Sequence, residues 1–390
     1  MASDSQGRFA GHSESGLVAL AVTARGEVTR RLGGRVERIE GIQELRGVAV
    51  LLVVAVHAIF AGMAQTHRAF LPAVPNLTFF GNGGVDLFFV ISGFVMAHTL
   101  VRSQTARTFL IARWRRIWPL YIVGSLIFVA LFPDDRTQQM ATLVPTFLIL
   151  PLTDTAAYHL PALKIGWTLG FETLFYLVVA LAIAGRRGQV FVLAAMTFAA
   201  AASFVLTPVW APLRMLVNPL AGEFTFGILV WLAWRWPPAR AASPAVFTAA
   251  VLALLAGIAG LIPITVSTDP EKAVSGHSLA RVIVWGLPWA GVTFGLACRQ
   301  PRSRKDASVL SRIGDASYSI YVFHLTAIVA ITRSGVVPTG SIYLYVALVA
   351  AASIAVGLAA HRWIERPLLH RLSRSRLTSR WATALSKGVA

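Results

Sequence analysis

Long apolar segments separated by short polar ones run through most of the chain. A helix needs about 20 mainly apolar residues to cross roughly 30 Å of hydrocarbon. Ten segments come close to this length, and the pattern predicts that each forms a membrane-spanning helix. The predicted spans are 46–64, 83–101, 116–132, 167–185, 190–206, 219–236, 245–264, 281–297, 313–331 and 341–361.

The same pattern sets the fold class. Apolar residues do not alternate with polar ones as they do in the strands of a membrane barrel. Bundled helices are the other structure that satisfies its own backbone hydrogen bonds in lipid, so an all-α, polytopic helix bundle is expected. One apolar run, 141–152, contains Pro145. At about 12 residues it is too short to cross, and we predict a re-entrant or interfacial segment there.

Composition and charge agree with a membrane protein. The chain has 390 residues, of which 56% are hydrophobic and 13% charged, and its formal net charge is +18. A strongly basic chain can also be a nucleic-acid binder. With the N-terminus in the cytoplasm, however, the predicted cytoplasmic segments from residue 102 onward carry 21 Lys and Arg residues, and the outer side carries seven, with Arg281 and Arg333 close to helix ends. This excess on the inner side is typical of membrane proteins, so both termini are predicted inside and no nucleic-acid partner is expected.

The ends of the chain differ from its middle. Residues 1–40 are polar and basic and are predicted to form a mobile cytoplasmic arm. Residues 41–368 form the predicted membrane domain, and residues 369–390 form a basic cytoplasmic tail. Cys298 is the only cysteine, so no internal disulfide is possible and no cysteine metal site is expected.

The first predicted span contains two polar groups on one face. An ionisable side chain inside the membrane costs free energy, which makes each one a candidate for function. Arg46 begins the span and His57 follows eleven residues later. Eleven residues rise about 16 Å along a helix and return nearly to the starting face. This predicts a cation at the cytoplasmic edge and a titratable base at mid-membrane, although His57 could also be a buried imidazole bonded to a neighbouring helix.

Two carboxylates are candidates for the outer half of the membrane. Asp86 lies near the start of the second span, and Glu172 lies about 7 Å below the outer surface in the fourth. Asp86 would also stabilise the N-terminus of its helix without any further role. Glu172 is harder to explain structurally, and we expect it to accept hydrogen bonds from substrate hydroxyls or to orient His57.

Two further groups complete the candidate site. Arg113 and Arg116 are three residues apart and share a helical face, a geometry that can hold two phosphate groups. Arginine and tryptophan are also ordinary anchors at a membrane boundary.

Tyr321 and His324 share a face of the ninth span and, with Trp167, are candidate substrate contacts. A hydrogen bond between helices would equally explain His324.

Six segments of this chain, in this order, resemble the type-three family of integral-membrane acyltransferases. That family includes O-antigen and exopolysaccharide O-acetylases, nodulation-factor acetylases and macrolide acylases. The resemblance extends over nearly all of residues 40–368. The segments that carry it are Arg46 with His57, 84–94 (GVDLFFVISGF), 113–119 (RWRRIWP), 167–176 (WTLGFETLFY), 318–324 (YSIYVFH) and 365–367 (ERP).

The resemblance implies an activity and roles for particular residues. It implies about ten helices, an acyl-CoA donor, expected to be acetyl-CoA, that enters from the cytoplasm, and a carbohydrate or glycoconjugate hydroxyl as acceptor. It gives His57 a catalytic role and makes Arg113 and Arg116 functional. One departure is Thr168, at a position that is often serine in the family, which keeps the hydroxyl group.

These expectations combine into a mechanism with open alternatives. Arg113 and Arg116, together with Arg46, would bind the donor's phosphates, and His57 would either deprotonate the acceptor hydroxyl or carry the acyl group. Asp86 and Glu172 complete the predicted catalytic set. A transporter or flippase of lipid-linked sugars and a scaffold of an envelope-polymer assembly are the alternatives. The expected location is the inner membrane of a bacterium, with lipid as the surrounding partner. The acceptor, the acyl chain and the oligomeric state stay open.

Overall fold

The computed structural model describes residues 39–100, 105–132, 146–150, 152, 160–262, 270–274, 279–299 and 307–374. The regular secondary structure of these residues is entirely helical. The predicted arm and most of the predicted tail lie outside the described residues.

The helices follow the chain in a simple order. In the first half they are α1 (Glu40–Thr66), α2 (Pro75–Phe80), α3 (Gly83–Leu100), α4 (Ala106–Leu131), α5 (Gly166–Ala184), α6 (Gln189–Ala202) and α7 (Ala211–Leu216). In the second half they are α8 (Ala221–Arg235), α9 (Pro237–Ala241), α10 (Ser243–Ile258), α11 (Pro270–Val274), α12 (Leu279–Ala297), α13 (Val309–Asp315), α14 (Ser317–Ser334), α15 (Ile342–Ala360) and α16 (Arg366–Arg374). A π-helical turn lies inside α12 at Val282–Gly286, and another joins α15 to α16 at His361–Glu365.

Each of the ten predicted spans overlaps a helix, and the polytopic helical fold is confirmed. Six helices are long and apolar enough to cross a membrane, namely α1, α3, α4, α5, α12 and α15 with its continuation into α16. A seventh is formed if α13 and α14, which meet at an angle of 77°, count as one span. The helices α6 and α10 are apolar but shorter. The number ten and the inward orientation of both termini stay predictions.

Helix α1 lies in the middle of the bundle, in contact with α3, α12, α13, α14 and α15. Its closest neighbour is α13, because two glycines let the backbones meet. A Cβ atom on Gly47 would lie 2.2 Å from the carbonyl oxygen of Leu310, and one on Gly314 would lie 2.0 Å from that of Gln43. Small residues allow this close packing of helices in membranes. The contact fixes the turn of α1 that carries Arg46.

The segment before α5 passes through the protein interior. Thr146, in the described part of the run that we predicted to be re-entrant, is buried, and its hydroxyl accepts the N–H of Ala162 at 2.8 Å. Leu163 is also buried, and its carbonyl oxygen accepts a hydrogen bond from the Tyr121 hydroxyl at 3.4 Å. Helix α5 therefore begins among other helices and not at a surface.

Candidate active site

A cavity lies between α1, α3, α4, α5 and α14. It contains about 830 Å³ of empty space, its open mouth included. Its walls combine apolar and aromatic side chains with a group of polar ones. The polar lining residues are Arg46, Ser92, Arg113, Arg116, Thr168, Glu172, Tyr176, Ser317, Tyr318 and Tyr321.

Three arginines from two helices reach this cavity. Arg46 comes from α1, and Arg113 and Arg116 come from α4. Thr105 caps α4, because its hydroxyl accepts the backbone N–H three residues further on at 3.1 Å. The sequence predicted a span from residue 116 only, whereas the observed helix begins ten residues earlier. Arg116 consequently lies about 15 Å along the helix, where its side chain lines the cavity and is also exposed.

The tryptophans of the same segment behave differently from the arginines. Trp114 is exposed and stacks on Trp118, with ring centroids 6.2 Å apart. Both fit the interpretation of this segment as a membrane anchor. The guanidinium of Arg113, in contrast, lies 5.6 Å from the ring centre of Phe109 and lines the cavity. The segment thus anchors the helix with one face and serves the cavity with the other.

Glu172 lies in the same cavity as the arginines. Its carboxylate accepts hydrogen bonds from the Tyr176 hydroxyl and, at 3.2 Å, from the Ser92 hydroxyl. The predicted wide separation of Glu172 from the arginines is wrong, because all four side chains line one cavity. The side of the membrane on which these arginines lie stays a prediction.

Asp86 is held in an ion pair away from the cavity. Both of its oxygens accept hydrogen bonds from Arg281, at 2.8 and 3.0 Å from Nε and at 2.8 Å from Nη2. Asp86 is fully buried and Arg281 is 3% exposed. The guanidinium also lies 5.8 Å from the ring centre of Trp167, at the start of α5. The sequence counted Arg281 on the outer side at the first residue of a predicted span, and the structure shows its side chain buried in the bundle on α12, which begins at residue 279.

Glu223 is a polar residue of this cluster that sequence reasoning missed. It is fully buried on α8, and Asp86 and Arg281 are its ionisable neighbours. Gly286, in the π-helical turn of α12, leaves room for it, since a Cβ there would lie 2.9 Å from Glu223 Cγ. An acidic residue inside the predicted span 219–236 was the available signal.

His57 on α1 and His324 on α14 are in ring contact. Their centroids are 4.9 Å apart and their planes are inclined by 63°. His57 Nδ1 lies 2.8 Å from the carbonyl oxygen of Val53, and His324 Nδ1 lies 2.6 Å from that of Tyr321. A carbonyl oxygen can only accept, so we assign the hydrogen of each neutral ring to Nδ1. Each Nε2 then carries a free lone pair.

Tyr321 lies between the cavity and the histidine pair. Its ring lines the cavity beside Phe88, with centroids 5.9 Å apart, and its centroid is 5.8 Å from that of His324. Its hydroxyl is 2.7 Å from Oγ1 of Thr168, where the hydroxyl of the family pattern is kept. The structure thus brings Arg46, Arg113, Arg116, Glu172 and Tyr321 together in one cavity and places His57 and His324 behind it. No group of three His, Cys, Asp or Glu residues in the described part of the chain is placed to hold a metal ion.

Sequence comparison identifies the class of this helical protein. The chain matches the family described as "Acyltransferase domain" over residues 39–362 and therefore belongs to it. It is 31% identical to the exopolysaccharide production protein ExoZ of Rhizobium meliloti, over 77% of this chain and 93% of that protein. It is 27% identical to the acyltransferase MdmB of Streptomyces mycarofaciens, over 88% and 94% of the two chains. It is 26% identical to nodulation protein 10 of Rhizobium leguminosarum bv. viciae, over 63% and 71%. No solved structure matches the chain. The protein is a membrane acyltransferase.

Proposed function

We propose that this acyltransferase moves an acyl group, expected to be acetyl, from acyl-CoA to a hydroxyl of a carbohydrate or glycoconjugate. One observation carries the proposal: three arginines line a cavity whose inner wall, Tyr321, touches the histidine pair. In this proposal the arginines bind the phosphates of the donor, and the histidine pair next to Tyr321 supplies the reacting residue. The name of the relative from Rhizobium meliloti, an exopolysaccharide production protein, supports a polysaccharide-like acceptor.

The arginines suit the nucleotide end of the donor. Guanidinium groups form paired, charge-assisted hydrogen bonds with phosphate oxygens. Glu172 is the one carboxylate among the residues that line the cavity, so its lining keeps an excess of positive charge. An anion with several phosphate charges, such as coenzyme A, offsets this excess. Because the predicted topology places the ends of α1 and α4 that carry these arginines on the inner side, the donor would enter from the cytoplasm across a bacterial inner membrane.

His57 is the proposed reacting residue. Its Nε2 has a free lone pair, and Val53 fixes the other ring nitrogen as a donor. It follows Arg46 by eleven residues, or about 16 Å along α1. A donor held by its phosphates near Arg46 can therefore extend its long thioester arm past Phe88 and Tyr321 toward His57. There His57 acts as the general base or as the acyl carrier.

The remaining predicted residues receive supporting roles. Glu172 accepts hydrogen bonds from Tyr176 and Ser92 and is proposed to hold this part of the cavity wall in place. Asp86 is proposed to act through Arg281 and Trp167, whose contact positions the start of α5. As proposed substrate contacts, Trp167, Tyr321 and His324 would surround the acyl group.

Thiol release from acetyl-CoA by the purified protein tests the proposal. Wild type is expected to release thiol, slowly when water is the only acceptor, and His57→Ala is expected to release none. The Arg113→Gln variant should need more acetyl-CoA for half-maximal rate. Arg115→Gln is the matched control, because Arg115 lies on the same helix and does not line the cavity. If wild type neither cleaves nor binds acetyl-CoA in a thermal-shift assay, the donor assignment is wrong, and transport of lipid-linked sugars becomes the next assay.

A further inference from the structure

His324 has a buried lone pair that nothing in the described structure satisfies. The side chain is fully buried, and its Nε2 has no hydrogen-bond partner. Buried polar atoms in native proteins nearly always have partners, because an unsatisfied one costs free energy. An acceptor atom of this kind can accept a hydrogen bond from a bound group that carries a hydrogen, such as a hydroxyl.

The arrangement around His324 repeats that around His57. In each ring Nδ1 is bonded to a carbonyl oxygen of its own helix, and Nε2 is left as a base. In the described residues, neither ring is hydrogen-bonded to a carboxylate, so neither is the orienting partner of a conventional histidine–carboxylate pair. A direct transfer needs one free lone pair, whereas the contact of the two rings at 4.9 Å presents two.

Building on the proposed function, we propose that the two histidines divide the reaction. His57 carries the acyl group, and His324 is the base that receives the proton of the acceptor hydroxyl. Exposure decides which ring has which role. His57 is partly exposed, so we assign it the thioester, whereas His324 is fully buried with its Nε2 unbonded, so we assign it the proton of the acceptor hydroxyl.

The proposed reaction has two steps, and protons and electron pairs are conserved over them. In the first, His57 Nε2 attacks the acyl carbon, the C–N bond forms, and the C–S bond breaks with its electron pair on sulfur. The thiolate takes a proton from solvent. In the second, the acceptor hydroxyl gives its proton to His324 Nε2 and its oxygen attacks the acyl carbon. The C–N electron pair returns to His57, and His324 later releases its proton to solvent. The sum is one ester and one thiol from one hydroxyl and one thioester.

Isotope exchange separates the two steps. Labelled coenzyme A is incubated with acetyl-CoA and the purified protein, and the label that enters acetyl-CoA reports the first step alone. Thiol release with water as the acceptor reports both steps. The variants are His57→Ala, His324→Asn and His324→Gln. The Asn amide replaces the Nδ1 end of the ring, which bonds to Tyr321, whereas the Gln amide reaches the position of Nε2 and keeps an acceptor there.

The expected pattern differs for each variant. His324→Asn should keep exchange near the wild-type rate, lose about tenfold or more of its thiol release, and accumulate acyl protein after acid quench. His324→Gln should retain more thiol release than His324→Asn, and His57→Ala should lose both reactions.

If wild type shows no exchange while its thiol release depends on His57, transfer is direct. The division of roles is then wrong, and the proposed function stands. If both His324 variants lose exchange and release together, His324 is structural and the proposal fails. If His57→Ala keeps thiol release, His57 is not the reacting residue and its role in the proposed function fails as well, whereas the acyl-CoA donor stands.

Discussion

Arg281 holds both carboxylate oxygens of Asp86 at hydrogen-bonding distance, and both side chains are almost completely buried. Breaking a buried pair by removing one partner typically costs about 3–5 kcal/mol, because the other charge is left uncompensated. This pair joins α3 to α12 and touches Trp167 at the start of α5. Its main contribution is therefore to the position of the helices.

A double-mutant comparison tests this structural role of Asp86. Asp86→Ala alone should yield little monodisperse protein. Asp86→Ala combined with Arg281→Leu should recover part of the thermal stability, because the unpaired cation is gone. Size-exclusion chromatography and thermal unfolding in detergent measure both effects. A stable, well-folded Asp86→Ala variant with no transfer would instead return Asp86 to the chemistry.

The arginine cluster should control affinity for the donor. Removing one charge-assisted hydrogen-bonding group costs about 1.5–3 kcal/mol, or roughly ten- to a hundredfold in binding. Arg113→Gln and Arg116→Gln should raise KM for acetyl-CoA by this factor with a smaller change in kcat, because the contact exists before and during reaction. Arg115→Gln should leave KM unchanged. Equal effects of all three substitutions would mean that general surface charge, and not the cavity, attracts the donor.

Glu172 should oppose donor binding through its charge. Glu172→Gln retains groups that bond to Tyr176 and Ser92 but removes an anion from the phosphate end of the cavity. Coenzyme A should bind several-fold more tightly to this variant, and the difference should shrink as salt screens the charges. Calorimetric titration at two ionic strengths measures this. Unchanged affinity with a complete loss of turnover would identify Glu172 as a catalytic carboxylate, the role predicted from sequence.

The contact between α3 and α8 should not tolerate added volume. A Cβ on Gly93 would lie 2.2 Å from the carbonyl oxygen of Phe224, and one on Gly227 would lie 2.1 Å from that of Val90. Gly93→Val should therefore abolish folded protein. Gly188→Ala is the control, because nothing lies within 4 Å of the added atom. Fluorescence-detected size-exclusion chromatography of tagged proteins compares the two, and a normal Gly93→Val profile would contradict this helix contact.

The helical fold was predictable because apolar length reports membrane crossing directly. Each predicted span overlaps a helix, and helical spacing correctly placed Arg113 and Arg116 on one face. The depth of a residue was less predictable, because it depends on where a helix begins in three dimensions. Helix α4 begins ten residues before its predicted span, and α5 begins in the interior. As a result, charged residues that were predicted to lie far apart line the same cavity.

Pairing between distant helices was not predictable from one sequence. The chain shows no local sign that Asp86 faces Arg281, 195 residues away, or that His57 faces His324. Asp86, His57 and His324 were already candidates from the sequence, because an ionisable group in an apolar segment is costly. Arg281 was not. Glu223 met the same criterion and was overlooked.

The position of coenzyme A in the cavity can be seen in a structure of the complex determined by electron cryo-microscopy. We expect phosphate density against Arg46, Arg113 and Arg116, with the thiol beyond Tyr321 and within reach of His57. Phosphates bound elsewhere on the protein, or a thiol directed away from His57, would contradict this expectation.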